Sequence, residues 1–279
     1  GDRANALHFF ARACELKLAA GCTDAADLLE KEGRLKEASA LREKACDQND
    51  ALACAKQAQK AEKESDLAGA RKFHVQACSK GAAASCLSLG FTDVQAGQVA
   101  TAKQWYLKGC QYNHGDSCNN LAGLEKAQNN REAAQLYYTR ACNLRSGVGC
   151  NNLAELFREL NKPSEVRRYY SLACTYEDFL GCNNFGVLEE VAGRPNEARK
   201  FYKISCEKGI GHGCRNSSAL ARKEGKTKDS AVFLSRATQL FKAGCEKGNP
   251  QSCADLRAME DGEKTTRSPA SGDKNKRGH

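Results

Sequence analysis

Sixteen cysteines are the first chemistry this sequence offers. They stand at 14 and 22, 46 and 54, 78 and 86, 110 and 118, 142 and 150, 174 and 182, 206 and 214, and 245 and 253, every pair eight positions apart. The first members advance in six equal steps, from 14 through 46, 78, 110, 142 and 174 to 206, and then in one longer step to 245. The regular step is 32 and the last is 39. Thiols so placed can bridge, hold a metal, or stay reduced as small buried side chains. Metal binding calls for C-x2-C pairs or nearby histidines. No C-x2-C occurs, and the five histidines follow no repeat position. An even number in strict pairs favours disulfides Cys14–Cys22, Cys46–Cys54, Cys78–Cys86, Cys110–Cys118, Cys142–Cys150, Cys174–Cys182, Cys206–Cys214 and Cys245–Cys253, and with them an oxidising compartment. Reduced thiols in a cytosolic repeat protein are the alternative.

A second set of polar side chains keeps the same ruler. The stretches SCNNLAGLE, GCNNLAELF and GCNNFGVLE, at 117–125, 149–157 and 181–189, each put two asparagines after a cysteine and before an apolar helical face. Asparagine is a mediocre helix former, because its amide competes for backbone hydrogen bonds. A third candidate is the S-x-x-K of Ser205 and Lys208. Its serine occupies a small-residue packing position beside Cys206, and no S-D-N or K-T-G companion exists. No phosphate-cradling glycine loop or H-E-x-x-H is present either. The chain therefore reads as a non-enzyme without cofactor or metal.

The elements that position these residues follow from the period. Ala38, Ala70, Ala102, Ala134 and Ala198 (Val166 in one repeat) lie seven positions before Ala45, Ala77, Gly109, Ala141 and their equivalents. Between them fall the doublets Trp105–Tyr106, Tyr137–Tyr138, Tyr169–Tyr170 and Phe201–Tyr202. This spacing keeps one helical stripe and defines a helix B, with the aromatics expected in the core rather than as a stacking platform. Leu121 and Leu124, Leu153 and Leu156, and Phe185 and Leu188 define a helix A after the second cysteine. Each cysteine pair then spans the corner from B to the next A, within reach of a disulfide. The expected fold is all-α, about sixteen short helices in an α-solenoid over 1–260. The interval of 39 places a seven-residue insertion within 215–236, and 261–279 reads as a disordered basic tail.

The pattern A-x-x-x-YY-x-x-A-C followed by C-N-N-L-A or C-N-N-F-G resembles the Sel1-like repeat family, relatives of tetratricopeptide (TPR) repeats. The C-x7-C pair in every repeat is similar to the Helicobacter cysteine-rich proteins within it. The resemblance covers residues 4 to about 258. It departs from the family in repeat length, 32 here against about 36. It implies a right-handed superhelix whose A helices line the concave side. It also implies asparagines that hold an extended peptide or protein segment: Asn119, Asn120, Asn151, Asn152, Asn183 and Asn184, continued by Arg215 and Asn216. An amide offers both a donor and an acceptor to a peptide backbone. Capping of the helix A starts remains the competing reading.

By the same resemblance the protein is a monomeric interaction module in the bacterial periplasm or outside the cell, holding a protein segment or a cell-wall glycan or peptide. The mitochondrial intermembrane space is the alternative location. A scaffold using the outer face or the basic end, and weak β-lactam binding or hydrolysis, are the alternative functions. From Gly193 onward there are 19 Lys/Arg and 10 Asp/Glu, while the preceding part holds 24 of each, so the net charge of +9 belongs to the C-terminal end. That end could meet an acidic polymer, but nucleic acid is not the expected partner. No run approaches the ~20 apolar residues of a membrane span. Residues 1–20 lack the pattern of a signal peptide, and the start reads as a trimmed N-terminus.

Overall fold

The computed structural model describes residues 2–267, and these form sixteen helices with no strand among them. By internal contacts the chain divides into two compact units, Gly1–Val166 and Arg167–His279. The first holds α1 (Asp2–Glu15), α2 (Ala19–Lys31), α3 (Leu35–Asp47), α4 (Ala51–Lys63), α5 (Leu67–Ser79), α6 (Ala83–Gln95), α7 (Val99–Gln111), α8 (Gly115–Ala127), α9 (Arg131–Asn143) and α10 (Gly147–Glu159). The division falls within α11 (Pro163–Thr175). The second unit continues with α12 (Phe179–Val191), α13 (Pro195–Glu207), α14 (Gly211–Lys223), α15 (Thr227–Glu246) and α16 (Pro250–Arg267). Odd-numbered helices are B and even-numbered ones are A. Residues 261–267, expected in the tail, belong to α16, and 268–279 lie outside the described residues.

The repeat is built from two helices of 13 residues each, joined by connections of three. One turn motif makes every connection. After α3, Asn49 adopts φ +74° and its N–H donates to the Cys46 carbonyl, while the Asp50 N–H donates to the Ala45 carbonyl. These are the two bonds of a Schellman C-cap. Asp50 then caps α4 by accepting from the Leu52 and Ala53 N–H groups. Three residues thus end one helix and begin the next. Middle residues of all fifteen connections have positive φ, and seven of them are glycine.

Each B–A corner closes on a disulfide, with Cα–Cα distances from 4.4 to 4.9 Å. The residues just before the two cysteines are small as a pair: Ala45 with Ala53, Ala141 with Gly149, Ser205 with Gly213. A Cβ on Gly149 would stand 2.6 Å from that of Ala141, so glycine there permits the close approach. The doublets divide their work. Tyr106, Tyr138, Tyr170 and Tyr202 are buried, while Trp105, Tyr137, Tyr169 and Phe201 are half-buried. Trp105 packs on the Cys78–Cys86 corner and its Nε1 donates to Asp93.

The insertion lengthens α15 to 20 residues. The cysteine ruler places it in 215–236, but packing is counted from the helix start. Ala237, eleventh in α15, packs on Cys206 and Cys214 as Ala141, eleventh in α9, packs on Cys110 and Cys118. The surplus is therefore the last two turns, 240–246. An insertion of seven is close to two helical turns, so the buried stripe keeps its face.

Candidate functional site

The A helices lie on the tighter side of each unit. Successive A helices α6, α8 and α10 touch one another in the first unit, as do α12 and α14 in the second. The asparagine pairs sit in the second turn of their helices, past the caps. His114, Ser146 and Asp178 occupy the N-cap positions of α8, α10 and α12, and each side chain accepts a backbone N–H. Capping therefore does not account for the asparagines.

What the pairs do is divided between their members. Asn119, Asn151 and Asn183 are buried, at 9%, 6% and 6% exposure. Asn120, Asn152, Asn184 and Asn216 are half-exposed. Oδ1 of Asn119 accepts from Nδ2 of Asn152 at 2.8 Å, and Oδ1 of Asn183 accepts from Nδ2 of Asn216 at 2.8 Å. Nδ2 of Asn119 and Asn183 donates to the neighbouring Asn120 and Asn184. A buried amide thus holds its own neighbour and the exposed amide of the next repeat, at a sequence separation of 33. Arg215 takes the buried member's place in α14 but stays half-exposed, and it pairs with Asp255 at 3.3 Å. The separation there is 40, which is the 33 of the other rungs plus the seven added to α15. An ion pair ends the row that amides begin. Asp255 also faces His212, whose pKa burial lowers.

The sequence brought both members of each pair forward as ligand-binding residues. The structure buries the first members and leaves the second members half-exposed. These rungs cross from one repeat to the next, so no local pattern revealed them. Asn119→Ala should destabilise the protein by about 1–2 kcal/mol, because it leaves the Asn152 amide without its partner. Asn120→Ala should cost a comparable amount, because it takes the acceptor from the buried Asn119 Nδ2 and a partner from the buried Tyr106 hydroxyl. Urea midpoints of the two variants check this.

Ser205 is fully buried and its hydroxyl donates to the Phe179 carbonyl at 2.7 Å. Lys208 lies over the Phe179 ring at 5.1 Å from its centroid. That serine is a packing group without access to a substrate. Among the described residues no cluster of three His, Cys, Asp or Glu could hold a metal, and no helix is long and apolar enough to cross a membrane.

A second recurring pair keeps the same repeat period. A cation on helix B and a carboxylate on the following helix A, at a sequence separation of 22, form ion pairs with the carboxylate buried. Arg71 meets Asp93 at 2.7 Å, Lys103 meets Glu125 at 2.6 Å, and Arg167 meets Glu189 at 2.9 Å.

No family model matches the sequence, and no curated protein does. Solved structures do. A protective antigen of uropathogenic Escherichia coli strains, described as displaying an SLR fold, superposes with a TM-score of 0.66 at 19% identity over 90% of this chain. The chain spans 59% of that protein. A Sel1 repeat protein from Oxalobacter formigenes gives a TM-score of 0.64 at 18% identity over 77% of this chain and 96% of the other. The fold is that of Sel1-like repeat proteins. Pseudomonas aeruginosa pilF matches less closely, with a TM-score of 0.54 at 14% identity over 74% of this chain and 98% of its own. Within the Sel1-like repeat fold, this chain's marks are a bridge at every B–A corner and no free cysteine among the described residues. Disulfides in this number fit an oxidising compartment.

Proposed function

We propose that the protein is a non-catalytic interaction module whose A-helix faces hold an extended peptide segment of a partner protein. One observation carries this reading. Asn120, Asn152, Asn184 and Asn216 recur at the repeat period on the A helices, half-exposed, and hydrogen bonds tie them to buried amides. An amide fixed before binding loses little rotamer freedom when a ligand arrives, which lowers the cost of association. It can give and accept a hydrogen bond, as an extended backbone requires. The bridged corners restrain the spacing between successive A helices. The same bridges suit the periplasm or the extracellular space of a bacterium.

The test is selection of dodecapeptides from a random display library on the oxidised protein. Selected peptides should bind at micromolar Kd. Replacing Asn120 and Asn152 together by alanine should weaken them roughly 10- to 30-fold, the loss of two hydrogen bonds at about 1 kcal/mol each. Peptides that bind wild type and variant equally, or a library that yields none, would overturn the reading.

A further inference from the structure

Three repeats carry the ion pair, and in a fourth the cation stands without its carboxylate. The step that leads from Arg167 to Glu189 leads from Arg199 on α13 to Ala221 on α14, so the cation is present and its carboxylate is not. Among the described residues, Arg199 is the one cation at this B-helix position that meets an alanine, where Arg71, Lys103 and Arg167 meet Asp93, Glu125 and Glu189. The neighbouring core position is depleted as well. Leu89, Leu121, Leu153 and Phe185 fill it in four repeats, whereas α14 places Ser217 there. A cavity of about 320 Å³ opens between α13, α14 and α15. Leu220, Ala221, Val232 and Phe233 give it apolar walls, and Arg199, Lys203 and Lys226 stand around it with Glu224 and Asp229. The ionic rim carries one positive charge in excess.

One detail shows that neighbouring side chains have not filled the place. Ser217 is 4% exposed, lines the cavity, and its hydroxyl has no hydrogen-bond partner. A buried hydroxyl left unpaired costs about 1–3 kcal/mol, so it marks a place where a polar group is wanted. Arg199 is not bare: Glu224 pairs with it while also holding Lys226 at 2.9 Å, and Asn196 accepts from its Nη1 at 3.0 Å, but neither side chain occupies the place that Glu189 takes in the preceding repeat. A comparable cavity of about 520 Å³ lies beside α4, where Gln57 holds the same core position. There Gln57 satisfies itself on Ser39, and the cation position is that serine. The α4 cavity also holds an orphaned donor, Nε of Arg42, but that guanidinium already pairs with Asp27 and Glu30; the α14 cavity joins an arginine at the cation position, an alanine at the carboxylate position and an orphaned serine hydroxyl.

We propose that this cavity binds a carboxylate on a short apolar stem, seated where Glu189 sits in the preceding repeat. Its oxygens would accept from Arg199 and from the Ser217 hydroxyl, and its methylenes would cover Leu220 and Phe233. A glutamate side chain in a partner polypeptide has this chemistry, and so has a free short-chain carboxylic acid. The proposal does not depend on the asparagine row.

Backbone amide NMR of the oxidised full chain tests it, with three probes at matched ionic strength: N-acetylglutamate N-methylamide, its glutamine counterpart, and butyrate. The carboxylate probes should shift the amides of Ser217 and Ala221 with Kd near about 1 mM, as fits ligands of so few atoms. The glutamine probe should not. Tighter binding of the glutamate probe than of butyrate points to a polypeptide source, and the reverse order to a free acid; both support the carboxylate site. Ala221→Glu restores the pair in the chain itself. It should raise the thermal midpoint and weaken probe binding at least tenfold. Ser217→Leu fills the cavity as Leu153 does and should also abolish binding, which decides the matter if Ala221→Glu fails to fold. Equal shifts from the glutamine probe, no shifts from any probe, or undiminished binding in the filled variant would overturn the proposal.

Discussion

Full reduction of the eight bridges should unfold the protein at 25 °C without denaturant. Each bridge joins cysteines at a sequence separation of 8, and the chain-entropy model assigns so short a loop about 2.5 kcal/mol. Eight of them sum to roughly 20 kcal/mol, beyond the 5–15 kcal/mol net stability usual for a folded domain. The core gives physical reason for this dependence. It is made largely of alanine and cysteine, and single repeats bury little beyond one tyrosine and one or two leucines. Circular dichroism at 222 nm, followed during titration with a phosphine reductant, should lose most of its helical signal. Retention of that signal by the fully alkylated, reduced chain would show that helix packing alone suffices. Single bridges should differ by place. Replacing Cys142 and Cys150 by alanine interrupts the repeats of the first unit from within, and should lower its stability by about 2–3 kcal/mol. Replacing Cys14 and Cys22 touches only the first corner and should show as fraying of α1 in hydrogen exchange.

The paired cysteines made the architecture legible because covalent chemistry fixed the ruler. A disulfide at one corner needs two small neighbours and a tight turn, and both repeat wherever it does. The division of each repeat into helix and turn was less visible, since eight of the fifteen left-handed turn positions are not glycine: Lys17, Arg145 and Glu177 carry no turn signature. The extra turns of α15 misled the ruler for a related reason. Cysteines mark the corner, whereas packing starts from the other end of the helix, where the A–B turn sets the register. In the candidate site the residues were legible and their division of labour was not. Asn119 and Asn120 are adjacent letters of one type, yet about 100° around a helix separates a buried amide from a half-exposed one. The substituted core positions carried a signal that a single repeat cannot show. Arg42 and His74 stand where Tyr106 and Tyr138 stand elsewhere, and Ser217 stands where leucine does.

Glu189 should make the second unit sensitive to acid. Its carboxylate is 1% exposed, and it receives Arg194 and both the Nε and Nη2 of Arg167. Hydrogen bonding from Arg194 and the charge of Arg167 outweigh burial and hold its pKa below the usual glutamate range. The unfolded chain therefore binds its proton at a higher pH than the folded one does. The resulting stability is complete above the unfolded pKa of about 4.3 and is lost as pH falls through the lower folded value. Glu189→Gln removes this contribution and leaves two arginines facing a neutral amide. Both guanidinium groups are about half-exposed and can rehydrate, so the cost at pH 7 should be about 2–3 kcal/mol rather than the larger loss of a fully enclosed pair. Urea midpoints of wild type and variant, measured between pH 7 and pH 3, should converge as the wild-type carboxylate is protonated. Glu125, Glu190 and Glu224 are also held low by basic neighbours, so the variant keeps some acid sensitivity. Two curves that stay parallel throughout would mean that the proton Glu189 takes up in acid is not coupled to folding.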